Sequence, residues 1–331
     1  MRMRMLMPLP LSRRRWSTLA LHGLLIASLG MPSALSATPT IDWRPVDARW
    51  TAARWLLLGE VHDNVAQHAS RHDWLSSKLK QGWRPVLLME QLNREHQVQI
   101  DQARSALQLE VRPSADQALA LASTWLNALP PEAQQGWHWP HYLPVLALAL
   151  QHDLPVLAAN VSRADARLIM REGLQAHGFD ADVPSDIVQA LTHDIMEGHC
   201  GALPQDVARR MVLAQVARDQ FMARLLVQEG AQGAVLLAGN GHVRRDVGVP
   251  RWLPPALQSR ALSVGLLEQG DPSASRYDVA LSTPVQLRDV PCARVSAAGS
   301  RSHPISAPRI RPRPPVPSLS IRAGSRCVPR L

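Results

Sequence analysis

Two short apolar runs, each stopped by glycine and followed closely by histidine, constrain the fold of this chain most strongly. The first covers residues 56–62 and reads LLLGEVH, and the second covers residues 234–242 and reads AVLLAGNGH. Short runs rich in Leu and Val are typical of strands that are buried on both faces of a parallel sheet. Ligands of such sheets bind just beyond the carboxyl ends of the strands, where the loops converge. The two runs therefore predict a parallel sheet with a polar site at one edge.

Further apolar runs extend this pattern to six strand candidates. They cover residues 54–60, 84–90, 154–159, 233–239, 261–267 and 276–281. Between the first two, residues 64–81 carry apolar side chains at helical spacing, and a strand–helix–strand unit of this kind indicates a parallel sheet. We predict an α/β fold with a mainly parallel sheet flanked by helices, and an inserted helical subdomain interleaved over about residues 93–230.

The positive charge of the chain is concentrated at its two ends. The formal net charge is +9, but residues 1–36 contain five Arg and residues 290–331 contain eight Arg, with no acid in either segment. Residues 37–289 are left with a net charge of −4. A mildly acidic body has no general attraction for a phosphate backbone, so we do not expect nucleic acid as a partner.

The N-terminus has the features of an export signal. Three consecutive arginines precede an apolar stretch at residues 19–29, and small residues follow it. We expect a signal peptide at residues 1–37, cleaved after Ser36 or Ala37, and hence an exported, periplasmic protein. An uncleaved anchor is the alternative, but the apolar stretch is shorter than the ~20 residues that span a bilayer. No cysteine lies near the cleavage site, so we do not expect a lipid anchor.

The last residues differ in composition from the rest of the chain. Residues 291–331 are rich in Pro, Arg and Ser, contain no acid and have no periodic apolar pattern. We therefore predict a disordered basic tail after a folded domain at residues 38–290. Two interpretations of the tail remain open: it touches anionic lipid headgroups, or it is translated out of its natural frame.

Acidic and histidine side chains follow the strand candidates. Glu60 and His62 come after the first, two positions apart, so on extended backbone they point the same way. Glu90 ends the second candidate, and His242 follows the fourth. Because parallel strands end at one edge, we expect these four side chains to share a crevice. They could hold a divalent metal ion that activates water, so one interpretation is a metal-dependent hydrolase.

An aromatic patch favours a different ligand. Residues 137–142 read WHWPHY, in a chain with only ten Trp, two Tyr and two Phe. Flat apolar rings beside His and Tyr suit haem, and a phenolate is a recognised axial ligand of ferric haem. Tyr142 is therefore the candidate iron ligand, with His62, Glu60 and His242 as further haem-binding candidates. Packing of a helix start against the core is the alternative interpretation of the patch.

Three cysteines leave one without a partner inside the chain. Cys327 lies in the tail, whereas Cys200 and Cys292 lie within or at the edge of the predicted domain. For an exported protein we predict a disulfide between Cys200 and Cys292, which would stabilise the fold by about 2–4 kcal/mol.

Several of these segments together resemble the ChaN family of haem-binding, iron-regulated envelope proteins. This family lies in the superfamily that includes the Tiki metalloproteases and the erythromycin-esterase-like proteins. The resemblance covers about residues 50–290. It rests on LLGEVHDN at 57–64, ME at 89–90, YLP at 142–144, AANV at 158–161, HCGALP at 199–204, MVLAQVARD at 211–219 and AGNGHVRRDVGVP at 238–250.

The resemblance implies haem as the cofactor, bound between two protomers of a homodimer and ligated through tyrosine with help from histidine. We carry the ligand role to Tyr142 and expect Tyr142→Phe to weaken haemin binding more than His62→Ala. Iron acquisition, with outer-membrane or periplasmic haem-transport components as partners, is the implied context. Many relatives are lipoproteins, and this chain lacks the cysteine that such an anchor requires. The aromatic patch at residues 137–142, and the lack of an obvious nucleophile or a full metal-ligand set, favour a haem-binding protein over an enzyme.

Overall fold

The computed structural model describes residues 41–288 and Cys292. The strands within this part of the chain are β1 (Trp55–Leu58), β2 (Val86–Asn93), β3 (Val156–Asn160), β4 (Ala234–Leu237), β5 (Ala261–Glu268) and β6 (Val279–Thr283). They form one six-stranded sheet in the order β3-β2-β4-β1-β5-β6, and every neighbouring pair is parallel. The predicted α/β fold with a parallel sheet is confirmed.

Ten α-helices accompany the strands in the described residues. They are α1 (Arg44–Asp47), α2 (Val65–Lys80), α3 (Gln97–Ser105), α4 (Ala115–Asn127), α5 (Pro131–Gln134), α6 (Leu143–His152), α7 (Arg163–Glu172), α8 (Ser185–Gly198), α9 (Gln205–Glu229) and α10 (Asn240–Val243). None of them is long and apolar enough to cross a membrane.

Helices cover both faces of the sheet, which explains why its strands are apolar throughout. Successive side chains of a strand point to opposite faces. In β1, Leu56 and Leu58 pack into the apolar cluster that contains side chains of α2, α4 and α6. Trp55 and Leu57 pack into a second cluster with side chains of α9. A four-residue strand buried on both faces therefore joins the two halves of the core.

Helices α7, α8 and α9 share a third apolar cluster beside the end of β3. Ile169 of α7, Leu191 of α8 and Val216 of α9 are buried in it, together with Val161, which directly follows β3. The side chain of Ser162 caps α7 by accepting a hydrogen bond from the backbone N–H of Asp165. This packing fixes the N-terminal end of α7 at the carboxyl edge of the sheet.

Cys200, in the turn after α8, forms a disulfide with Cys292, and their Cα atoms are 5.4 Å apart. The predicted signal peptide at residues 1–37 lies outside the described residues. The predicted tail at residues 291–331 also lies outside them, apart from Cys292.

Candidate functional site

A cleft of about 910 Å³ opens at the carboxyl edge of the sheet. His62 follows β1, Glu90 lies in β2 and Tyr142 precedes α6, and all three side chains line the cleft. Glu60 and His242 are not among the described residues that line it, because both are buried in the wall behind. The five predicted site residues thus lie at one edge of the sheet, in two layers.

Glu60 is the centre of a buried hydrogen-bond network in that wall. Its side chain is only 1% exposed, and its Oε1 accepts a hydrogen bond of 2.6 Å from the hydroxyl of Tyr142. The same oxygen lies 2.9 Å from Nδ1 of His62, and Arg71, also buried, donates to Oε2. Burial alone would raise the pKa of Glu60, but the charge of Arg71 and the hydrogen bond with His62 lower it to about 2. Glu60 is therefore an anion that orients its neighbours.

Tyr142 is a buried phenol whose hydroxyl is bonded to Glu60. Burial raises its pKa far above the ordinary value, and the charge of Glu60 raises it further. Its ring contacts Trp137 edge-on, with centroids 5.7 Å apart. Ligation of iron by its phenolate would require the loss of both the proton and the hydrogen bond to Glu60. The structure therefore places the hydroxyl of the predicted iron ligand against Glu60, at the wall of the cleft.

The imidazole ring of His62 is half-exposed in the cleft. Its side chain is 46% exposed, and Glu60 fixes its Nδ1. The ring stands at 82° to that of Trp137, with centroids 4.9 Å apart. Burial disfavours the charged imidazole, but the hydrogen bond with Glu60 and the charge of Glu90 raise its pKa. In the described part of the chain, its Nε2 forms no hydrogen bond.

Gly239, from the second glycine–histidine segment, makes room for the ring of His62. A Cβ atom at this position would lie 2.9 Å from both Cε1 and Nε2 of His62. The backbone N–H of Gly239 also donates a hydrogen bond of 2.7 Å to Oε2 of Glu90. The two segments that define the sequence pattern therefore meet at this point.

His242 belongs to a second buried network. Its Nδ1 lies 2.5 Å from Oδ1 of Asp219, and its Nε2 lies 3.3 Å from Oε1 of Glu90. Burial would lower the pKa of His242, but the charges of Glu90 and Asp219 raise it to about 10. Burial raises the pKa of Asp219 to about 6, while the imidazolium helps to lower that of Glu90 to about 2. His242 is thus a cation held between two carboxylates.

The carboxylates that were predicted to hold a metal ion already bind cations. Glu60 is paired with Arg71, and Glu90 with His242. Among the described residues, no group of three or more His, Cys, Asp and Glu side chains has an arrangement that could hold a metal ion.

Sequence reasoning missed Arg71 and Asp219, which neutralise the buried groups. Arg71 lies on the stripe of α2 that also carries the buried Leu75. Asp219 lies on the buried stripe of α9. A charged residue at an apolar position of a helix was the available signal, because such a residue needs a buried partner of opposite charge.

The fold and the site together define an α/β protein with a ligand cleft at the carboxyl edge of a parallel sheet. A family model described as haem-binding uptake, Tiki superfamily, ChaN matches residues 46–253. This is more than half of the chain, so the chain belongs to that family, as its motifs indicated. No curated protein matches the chain.

The solved structures that are similar to this one include a ChaN protein and an erythromycin esterase. The first is described as cofacial haem binding to ChaN of Campylobacter jejuni, with a TM-score of 0.57 and 21% identity over 73% of this chain and 91% of that chain. The second is an erythromycin esterase mutant, EreC, in its open conformation, with a TM-score of 0.41 and 10% identity over 78% of this chain and 84% of that chain. At this level of identity, the likeness to ChaN shows the fold.

Proposed function

We propose that this protein binds haem in the cleft and serves haem or iron uptake in the periplasm. The observation that carries the proposal is the ring of His62, half-exposed in the cleft with its Nε2 unbonded among the described residues. The family supports the ligand, since the matching model describes haem-binding uptake. The export features of residues 1–37 support the compartment.

The donor set of the cleft fits haem. Histidine is a common axial ligand of haem iron, and a second-layer carboxylate is the usual partner of a metal-bound imidazole. Glu60 is such a carboxylate for His62, because its Oε1 is hydrogen-bonded to Nδ1 of the imidazole. Trp137 places an aromatic ring beside the imidazole, and the cleft volume of about 910 Å³ lies in the range of small-molecule sites. Bound haem would supply an iron centre that His62 ligates.

Tyr142 takes a different part in this proposal from the one predicted from the sequence. Its hydroxyl holds Glu60, which in turn holds His62. We therefore assign the iron ligand to His62 and a positioning role to Tyr142, with His242 and Glu90 as the charged layer behind them.

A homodimer and haem-transport components remain part of the proposal. The solved ChaN structure is described as cofacial haem binding. His62 opens to solvent, so a haem bound to it would have one face available for a second protomer. The metal-dependent hydrolase is disfavoured because Glu60 and Glu90 are already neutralised by Arg71 and His242.

Titration of the purified chain with haemin, followed by visible absorption, tests the proposal. We expect a saturable spectral change at one haem per chain, and His62→Ala should weaken haemin binding at least about tenfold and alter the spectrum. His193→Ala is the matched control, because His193 is 70% exposed on α8 and is not among the residues that line the cleft. Failure of the intact protein to bind haemin, together with a stoichiometric divalent metal in the purified sample, would overturn haem binding in favour of the hydrolase.

A further inference from the structure

Three arginines line the cleft, and none of them forms an ion pair with a described residue. Arg163 and Arg167 lie one turn apart on α7, and Arg218 lies on α9. Within the described residues, Arg163 and Arg167 form no hydrogen bond or ion pair. Asp165, between them in the chain, is paired with Arg94 at 2.6 Å instead. Arg163 and Arg167 therefore make this wall of the cleft positively charged. Neither forms an ion pair with a carboxylate of the described residues.

Arg218 is fixed at the sheet edge through one nitrogen only. Its Nε donates to Oδ1 of Asn160 at 3.1 Å and to the carbonyl of Val161 at 3.4 Å. Its terminal nitrogens form no hydrogen bond in the described part of the chain. Burial lowers the pKa of Arg218, the charges of Glu90 and Asp219 oppose this shift, and the charge of Arg163 adds to it, so Arg163 and Arg218 are close enough to interact.

Arg163 packs against the loop that carries Trp137, an aromatic residue of the cleft wall. A Cβ atom on Gly136 would lie 3.1 Å from Nη2 of Arg163, and Gly136 has a φ of +90°. Trp137 follows directly and lines the cleft. The N-terminal end of α7, capped by Ser162, adds its positive dipole at the same place. Arg163 thus lies next to the loop that carries Trp137, whose aromatic ring haem in the cleft would contact.

We propose that Arg163, Arg167 and Arg218 form a carboxylate clamp that binds the haem propionates and selects porphyrins with free carboxylates. The clamp rests on the haem binding proposed above. Guanidinium groups bind carboxylates through paired hydrogen bonds, and two propionates supply two negative charges. Glu95 and Glu132 also line the cleft, but neither forms an ion pair with these arginines. With this clamp, the edge of the porphyrin that carries the propionates would lie toward α7.

A comparison of haemin with its dimethyl ester tests the clamp separately from haem binding. The propionates of haemin are charged, whereas those of the ester are not. Each ligand is titrated into the intact chain, the Arg163→Ala/Arg167→Ala variant and the Arg171→Ala variant. Arg171 is the matched control, because it lies on the same helix, pairs with Glu172 and is not among the residues that line the cleft. We expect the intact chain and the control to bind haemin about tenfold or more tightly than the ester, as charge-assisted hydrogen bonds predict.

In the double variant, which keeps Arg218, we expect the preference for haemin over the ester to shrink to about threefold or less, while the affinity for the ester stays within about twofold. Both arginines are exposed and unpaired, so its thermal midpoint should match that of the intact chain. Equal affinity of the intact chain for the two ligands, or an unchanged preference in the double variant, would overturn the clamp and leave haem binding standing. Binding of neither ligand by the intact chain would overturn both proposals.

Discussion

The hydroxyl of Tyr142 donates a hydrogen bond of 2.6 Å to Oε1 of Glu60, a residue 82 positions earlier in the chain. The same oxygen lies 2.9 Å from Nδ1 of His62. One buried carboxylate therefore holds both rings that the sequence singled out as haem contacts. The phenol donates to Glu60, whereas the imidazole extends into the cleft, so the two rings differ in burial and in hydrogen bonding.

Substitution of these two rings should affect haemin binding in the order opposite to the sequence-based expectation. His62→Ala removes the proposed ligand, so we expect haemin affinity to fall at least about tenfold and the visible spectrum to change. Tyr142→Phe keeps the ring and removes one hydrogen bond, so we expect a smaller loss and a similar spectrum. Haemin titrations of both variants measure this order. A larger effect of Tyr142→Phe would restore the phenolate assignment.

A methyl group at Gly239 should disturb the site through sterics alone. Its Cβ would lie 2.9 Å from two atoms of the His62 ring, so Gly239→Ala should displace the imidazole and weaken haemin binding. Gly241→Ala is the control, because a Cβ there meets nothing within 4 Å. Haemin titration and thermal unfolding of both variants check the prediction. Equal behaviour of the two variants would show that the imidazole does not need the space above Gly239.

The sheet could be predicted because strands buried on both faces carry a strong apolar signal. Strand bounds were harder: the run at 84–90 predicts an end at Glu90, whereas β2 continues to Asn93. Its pairing with β3 shifts register between Met89 and Asn93, and such an irregularity depends on local backbone geometry that no residue pattern encodes.

The site was predictable only in part. The side-chain period of two and the position of the strand end placed Glu60 and His62 near the cleft. Which of the groups at the edge are neutralised depends on the helix faces that pack there, so Arg71 and Asp219 could not be assigned as partners. The tyrosine was found, but its hydrogen bond to Glu60 is a tertiary contact that the sequence does not reveal.

Removal of Arg71 should destabilise the fold strongly. Arg71 and Glu60 are both buried and paired, so Arg71→Met leaves a buried anion without its cation. We expect the free energy of unfolding to fall by about 3–5 kcal/mol, measured by urea denaturation. The Glu60→Gln/Arg71→Met variant should recover part of this loss. Arg44→Met, at an 88% exposed side chain, is the control, and an equal effect there would contradict the buried-pair explanation.

The disulfide between Cys200 and Cys292 should contribute measurably to stability. It closes a loop with a sequence separation of 92, and disulfides typically stabilise a fold by about 2–4 kcal/mol. Cys292→Ser should lower the thermal midpoint, and reduction of the intact protein should lower it equally. Cys327→Ser should leave it unchanged. Peptide mapping without reduction that finds Cys292 free, or joined to Cys327, would refute the pairing.

The buried His242 cation should make stability depend on pH on the alkaline side. Glu90 and Asp219 raise its pKa to about 10 in the folded chain, from about 6.5 when unfolded. Its contribution is therefore complete below about pH 6.5 and is lost as the pH rises through about 10. We expect the intact protein to lose more than about 1 kcal/mol between about pH 7 and 10, or about 2–4 °C in thermal midpoint.

His242→Gln should be less stable than the intact protein near neutral pH, because two buried carboxylates lose their cation. Its stability should then change little between about pH 7 and 10, since the group that titrates in that window is gone. His193→Gln, at an exposed site on α8, should keep the pH profile of the intact protein. Thermal unfolding of the three proteins across this range measures the difference. Parallel profiles for the intact protein and His242→Gln would show that His242 is not charged in the folded state.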